Sequence, residues 1–299
     1  MILTFLGTSC MVPTKERNVP AVFLKFRSEG ILFDCGEGTQ RQMNIAGIKR
    51  TDVTKIFVSH WHGDHVSGII GLLQTLGNND LPPKLEIFGP KGTMEHMEHL
   101  MQACVFEARV NLKVHELVPK GIESCLDAEE YAVECVPLQH STPCLGYRFS
   151  EKDRYRILTS KLRRLGVPDG AHLQPLQKGK DITFKGKKIL ASEVTQKVQG
   201  KVISYVMDTA YCNNAVEISK EADVLITESS YAAVLEEKAG HYKHLTAKQA
   251  ATIASRAGAK KLILMHFSQR YKDVSEIRQD AKELFNDVIC AEDFMRVEV

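Results

Sequence analysis

Apolar residues in the first third of the chain fall in short blocks, MILTFLG, AVFLKF, ILFDCG and KIFVSH, each bounded by turn-forming or polar residues. Blocks of this length, rich in β-branched and aromatic side chains, predict strands. From Val66 to Leu76, and again over TMEHMEHLMQA, apolar residues recur at helical spacing. Strand-like blocks return with LEIFG, AVECVPL and GYRF, and a later group holds KVISYVMD, DVLITES and KKLILMH. A helix is predicted over TAKQAATIASRAG and a last amphipathic helix over SEIRQDAKELFNDV. Two halves thus repeat one theme, strands feeding loops with a helix behind. That pattern predicts an α/β protein with two sheets packed together and covered by helices on both outer sides.

At 299 residues with 43% apolar content, the chain can fill a sizeable core, and it reads as one domain, 1–299. It has no run of 18 apolar residues, and MILTFLGTSCMVP lacks the basic lead and long apolar stretch of a signal peptide, so a cytoplasmic protein without a membrane anchor is expected. The eight cysteines form no CxxC pair, which argues against a disulfide framework or a thiolate zinc cluster.

Charge changes the picture once it is divided along the chain. The net charge is only +2, yet residues 151–190 hold eleven Lys and Arg against four acidic residues, leaving the remainder net negative. A basic segment on an acidic body suits a phosphate-rich partner, though a solvated surface excursion has the same composition. Within it, KLRRLGVPDGAH predicts a short helix ended by a Gly/Pro turn. Residues 151–190 are therefore read as an inserted basic arm rather than a separate domain.

The densest chemistry follows KIFVSH: His60, His62, Asp64 and His65 lie within six residues, with Gly63 permitting a turn from strand to helix. Imidazole nitrogen and carboxylate oxygen suit zinc. Four such ligands imply two metals, since one hydrolytic zinc takes three protein ligands and keeps a position open. Further ligands should stand at strand ends, where His140, Asp208 and His266 each close an apolar block. By contrast, His96 and His99 share a helix face with nothing nearby to complete a ligand set, and His115, His172 and His241 read as surface or turn residues. Trp61, between two candidate ligands, reads as a packing residue.

HxHxDH followed by a distant His, an Asp and another His resembles the metallo-β-lactamase superfamily. The resemblance implies a four-layer αβ/βα sandwich with the metals at one edge of the sheets. It implies that His60, His62 and His140 bind one ion, Asp64, His65 and His266 a second, and Asp208 both. Asp34, in ILFDCGEG, matches the superfamily's first motif and would orient a ligand histidine from behind. An aspartate rather than a cysteine at the bridging place favours displacement at phosphorus, with Asp64 as general base. Two zinc ions per subunit are expected, with manganese or iron also suited to these ligands.

Three further segments resemble the ribonuclease Z family, whose members process the 3′ ends of transfer RNA: GTSCMVPTKERNVPA with Pro13, Lys15, Arg17 and Asn18, then FDCGEGTQRQM, then HSTPCLGYRF. This resemblance spans nearly the whole chain. It implies a zinc-dependent endoribonuclease that removes the 3′ trailer of precursor tRNA, leaving a 3′-hydroxyl on the tRNA and a 5′-phosphate on the trailer, as a homodimer. His244 would protonate the leaving oxygen and Glu228 would orient and charge it. Lys15, Arg17, Lys161, Arg163 and Arg164 would contact RNA through the loop and the protruding arm. Two departures stand out: Ser229-Ser230 follows Glu228 where the family often has Ala-Thr, and the arm has Gly170-Ala171 in place of Gly-Pro. The competing readings are a hydrolase of the same fold acting on a small phosphodiester or sulfate ester, and a catalytically silent RNA-binding protein.

Overall fold

The structure is a computed structural model that describes residues 1–78, 83–106 and 109–299. Most of the chain, Met1–Leu126, Val133–Phe149 and Val202–Val299, forms one compact unit, and Asp127–Ala132 with Ser150–Lys201 forms another.

The larger unit is built on two seven-stranded sheets. The first uses β1 (Ile2–Gly7), β2 (Ala21–Phe26), β3 (Glu29–Phe33), β4 (Val53–Phe57), β5 (Lys84–Pro90) and β6 (Asn111–Leu117). The second uses β7 (Glu123–Asp127), β8 (Tyr131–Pro137), β9 (Leu145–Glu151), β10 (Val202–Val206), β11 (Val224–Glu228), β12 (Leu262–Met265) and β13 (Val288–Cys290). The last strand, β14 (Arg296–Glu298), returns to the first sheet beside β1. β3 to β6 run parallel, as do β10 to β13. The carboxyl ends of these parallel strands carry Asp34, His60, Asp208 and His266, and His140 follows β8.

Rings from the two sheets meet between them: Phe33 lies 5.2 Å from Tyr205, Phe57 lies 5.2 Å from Tyr147, and Phe26 lies 5.3 Å from Phe149. Helices α1 (Thr39–Ala46), α2 (Gly63–Val66), α3 (Ile69–Gly77) and α4 (Thr93–Gln102) give Met43, Val66, Leu72, Leu76 and Met97 to a core with Leu32, Ile56 and Ile87 of the first sheet. On the second sheet, α5 (Asn213–Ile218), α6 (Glu236–Tyr242), α7 (Ala247–Ala257) and α8 (Ser275–Lys282) follow, and α5, α7 and α8 share a core with Leu225, Leu262 and Leu264. α7 buries five alanines, and their small side chains let it lie close to the strands. Thr246 and Gln249 form a reciprocal capping box that starts it.

Two predicted helices differ in extent. The helix expected from Val66 to Leu76 breaks at Ser67–Gly68, because Gly68 N–H donates to Cys35 O at 2.9 Å and a Cβ on Gly68 would lie 2.1 Å from Gly36 O. Gly36 in turn leaves no room for a Cβ beside Asp64 O, at 2.1 Å. The Asp34 turn and the His65 turn thus touch backbone to backbone. The last helix stops at Lys282 instead of continuing to Val288, which is 3% exposed and pairs with Leu262 in the sheet.

The smaller unit has its own core of Leu162, Val167, Leu173, Leu176, Ile182 and Val194. A helix spans Thr159–Arg164 at the KLRR segment, and the hairpin Ile182–Phe184 with Lys187–Ile189 turns on Lys185 and Gly186, both at positive φ. The basic segment 151–190 lies within this unit, whose bounds are wider.

Candidate metal centre

Each candidate ligand is held by the end of a strand. After β4 the chain gives Ser59, His60 and His62, and α2 begins at once, so Asp64 and His65 turn back toward the sheet edge. His140 follows β8, while Asp208 and His266 follow β10 and β12. Asp34, Asp208 and His266 adopt φ of 58°, 46° and 59°, a left-handed conformation that is costly for residues with a Cβ. Spending that strain at three strand ends, all around one point, marks a place shaped for chemistry rather than stability.

His60, His62, His140 and Asp208 bring ligand atoms within 4.8 Å of one another, and so do Asp64, His65 and His266. Asp208 stands between them: Oδ2 lies 3.5 Å from His60 Nε2 and 3.7 Å from His140 Nε2, whereas Oδ1 lies 3.2 Å from His266 Nε2 and 3.6 Å from His65 Nε2. Tetrahedral ligands bonded at about 2.0–2.1 Å lie about 3.3 Å apart, so these are spacings that a divalent cation would span. Among the described residues, Asp208 Oδ1 is also buried with no hydrogen-bond partner, an expensive state for a carboxylate oxygen unless a cation meets it. Donor set, spacing and orphaned oxygen all fit a two-metal site.

The imidazoles are oriented from behind. His65 Nδ1 donates to Asp34 Oδ2 at 2.7 Å, and the same carboxylate accepts from Ser59 N–H (2.7 Å), Ser59 Oγ (2.8 Å) and Tyr205 OH (2.8 Å). His140 Nδ1 donates to Lys243 O at 3.2 Å, and His60 Nδ1 lies 3.0 Å from Ser59 Oγ. His266 Nδ1 lies 2.9 Å from Ser230 Oγ, which donates to Glu228 Oε2 at 2.7 Å. In each case the other ring nitrogen is left to face the cluster. Asp64 Oδ2 accepts from the backbone N–H of Met11 at 2.8 Å.

Electrostatics divide the groups. Burial, then the nearby His65, holds His60 well below the ordinary imidazole range, and burial lowers His140 against the opposing pull of Asp208, both in the direction that favours the neutral, ligating form. Burial would lower His65 too, but Asp34, Asp208 and Asp64 together raise it to about 9. Asp64 and Asp208 are held low by the imidazoles around them despite burial.

Beside this cluster, His244 Nδ1 lies 3.1 Å from both carboxylate oxygens of Glu228. Glu228 is fully buried and also accepts from Thr209 N–H at 2.7 Å. Burial opposes a charge on His244, yet Glu228 and then Asp208 raise it to about 9. With Nδ1 engaged by the carboxylate, Nε2 is free to donate.

The remaining expected residues are placed less uniformly. Lys15 is exposed on its loop. The guanidinium of half-buried Arg17 donates to Tyr271 O and lies 5.8 Å from the Phe267 ring, which braces the loop against the segment that follows His266. Arg163 and Arg164 are exposed in the smaller unit, where Lys161 Nζ donates to Glu193 O at 2.8 Å. Sequence reasoning missed Ser59, Tyr205, Ser230, Lys243 and Asp293. Asp293 accepts from Thr8 Oγ1 (2.8 Å), Asn18 N–H (2.7 Å) and Gln42 Nε2 (2.9 Å), fastening the Lys15 loop to the fold. Ser59 had a signal, a hydroxyl directly before the first ligand, whereas Tyr205 lies inside an apolar block and gave none.

Residues 30–158 match the family described as beta-lactamase superfamily domain. Over 100% of this chain and 97% of the relative, the sequence is 39% identical to Ribonuclease Z of Methanothermobacter thermautotrophicus. It is 40% identical to Ribonuclease Z of Methanosarcina acetivorans, over 99% of this chain and 97% of the relative. Among solved structures, the short form of human tRNase Z superimposes with a TM-score of 0.75 at 29% identity, covering 100% of this chain and 99% of that one.

Proposed function

The chain belongs to the ribonuclease Z family, a tRNA 3′-processing endoribonuclease on the metallo-β-lactamase fold, and from that premise we propose how its residues divide the reaction. It is a hydrolase with a His/Asp cluster suited to divalent metal. In the proposal, His60, His62 and His140 would hold one zinc ion and Asp64, His65 and His266 a second, with Asp208 serving both; manganese or iron would suit the same donors. The observation that carries it is the position of Asp208, with one oxygen toward each group and Oδ1 buried without a hydrogen-bond partner among the described residues.

Two such cations supply Lewis acidity toward the phosphate and lower the pKa of water. The side chains do the rest. Asp64, its Oδ2 fixed by Met11 N–H, accepts a proton from the attacking water. His244, kept charged by Glu228, gives a proton to the departing 3′-oxygen of the tRNA. The 5′-phosphate remains on the trailer. Lys15, Arg163 and Arg164, with Lys161 behind them, supply cations for the RNA backbone. The active form is a homodimer acting in the cytoplasm, in which the basic segment of one subunit serves RNA cut by the other.

Incubation with a 3′-extended precursor tRNA tests this reading. Cleavage after the discriminator base, lost in Asp64→Ala, is expected together with about two metal ions per chain. Intact precursor in the presence of a metal-filled protein would overturn it.

A further inference from the structure

Beside the cluster lies a cavity of about 550 Å³, lined by Trp61, Lys91, Met94, His96, Thr142 and Pro143 among others. Two of its walls are continuous with the candidate ligands: Trp61 sits between His60 and His62, and Thr142 and Pro143 follow His140. Its volume falls in the range of roughly 300–1,000 Å³ of small-molecule sites.

The floor is rigid. Trp61 Nε1 donates to Thr93 Oγ1 at 2.8 Å, and Thr93 Oγ1 donates to Pro90 O at 2.6 Å, which pins the indole to the start of α4. His96, one turn along, lies over the indole with ring centroids 5.0 Å apart and planes 33° apart. The pair forms an aromatic step at the mouth, with His96 and Met94 exposed and Trp61 half-buried.

Charge decides the kind of ligand. Among the described residues Lys91 is the only lysine or arginine in the lining, against Glu95 and Glu116. Glu116 is already engaged by the N–H groups of Gly92 and Met94, at 3.0 and 3.2 Å. A lining with more carboxylates than cations does not collect phosphates. Flat rings, a thioether and a proline instead suit the face of a nucleobase, which stacks without sequence preference.

We propose that this cavity is a base-stacking subsite for the single-stranded trailer, in which a trailer base continues the Trp61–His96 stack while its 5′-phosphate lies at the metal centre. The inference rests on the ribonuclease Z reading. His244 marks the side from which the tRNA's 3′-oxygen departs, and neither His244 nor Glu228 lines the cavity, so it is assigned to the strand that keeps the phosphate. Bases of a single-stranded trailer are free to stack.

Trp61 is the only tryptophan in the chain, so its fluorescence reports on the cavity directly. Titrating the metal-loaded protein with a short 5′-phosphorylated oligoribonucleotide, the chemical form of a released trailer, is expected to quench that fluorescence saturably. An abasic oligomer of the same length, or the His96→Ala protein with the natural oligomer, should need about tenfold higher concentration, the order expected for one stacked base. His96→Phe, which keeps an aromatic face, should restore the affinity. In cleavage assays the wild type should favour a precursor with a natural trailer over one with an abasic trailer by a similar factor in KM, and His96→Ala should lose that preference. Unchanged fluorescence at oligomer concentrations that inhibit cleavage, or an abasic preference that survives His96→Ala, would overturn the subsite. Failure of the wild type to cut either precursor would instead overturn the ribonuclease Z reading on which it rests.

Discussion

The backbone N–H of Met11 donates to Oδ2 of Asp64 across 2.8 Å, tying the loop that carries Lys15 to the carboxylate proposed as general base. Met11 is 74% exposed and has φ of 63°, so its side chain packs on little while its backbone is strained. Its place is dictated by its N–H. Met11→Gly keeps that donor and removes the Cβ penalty, so turnover within about twofold of wild type and an unchanged or slightly raised Tm are expected. Met11→Val sets a β-branched side chain at the same φ, and a fall in kcat of about tenfold is expected as the loop leaves Asp64. Equal kcat in both variants would mean that the hydrogen bond does not position the base.

Asp208 ties metal occupancy to folding. Its carboxylate is 3% exposed amid imidazoles, and Oδ1 has no hydrogen-bond partner among the described residues. Stripping metal by chelation should therefore lower Tm, and zinc should restore it, because a ligand at about 1,000 times its Kd stabilises by about 4 kcal/mol. Asp208→Ala should bind fewer than two ions per chain by elemental analysis and lose at least about a thousandfold in precursor cleavage. Two ions retained by Asp208→Ala would exclude the bridging role.

His244 owes its charge to Glu228. Burial lowers its pKa, but Glu228, then Asp208, raise it to about 9, while the nearby His266 opposes. A proton donor works only while protonated, so activity is present below this pKa and is lost as pH rises through it. Glu228→Gln keeps the shape and removes the charge, so His244 should release its proton at lower pH. The alkaline limb of the kcat profile should move down by about one unit or more, with the acidic limb in place. Bound cations act on both proteins alike, which makes the difference between them the informative quantity. An unmoved alkaline limb would show that another group sets it.

What could be read in advance follows from how local each signal is. His60, His62, Asp64 and His65 lie in one turn, and His140, Asp208 and His266 close apolar blocks, so a polar residue in an awkward place announced each of them. The two-sheet sandwich was legible for the same reason, since strand blocks keep their period whatever they pack against. Ser230 and Asp293 were not legible. Each acts through partners far away in sequence, Ser230 on His266 and Asp293 on Thr8 and Gln42, and a hydroxyl or carboxylate in a loop has many ordinary explanations. The break at Gly68 was hidden likewise, because it depends on Gly36 meeting it across the fold. Arg17 shows the limit of residue type, since its motif predicts a cation for RNA and gives no sign that the guanidinium also donates to Tyr271 O and lies against the Phe267 face.

The basic unit offers a separation of binding from chemistry. In the helix Thr159–Arg164, Leu162 is 1% exposed and anchors the small core, while Arg163 and Arg164, which follow it, are exposed. Replacing both arginines by alanine removes charge without opening that core. KM for precursor tRNA should rise about five- to tenfold, and hydrolysis of a small phosphodiester should be unchanged. If each arginine meets one phosphate, the slope of log affinity against log salt should shrink by about 1.8 for the pair. Lys161→Ala should do less, because its Nζ is already committed to Glu193 O at 2.8 Å. Equal losses on precursor and on the small diester would assign these arginines to folding, and an unchanged salt slope would remove them from the RNA interface.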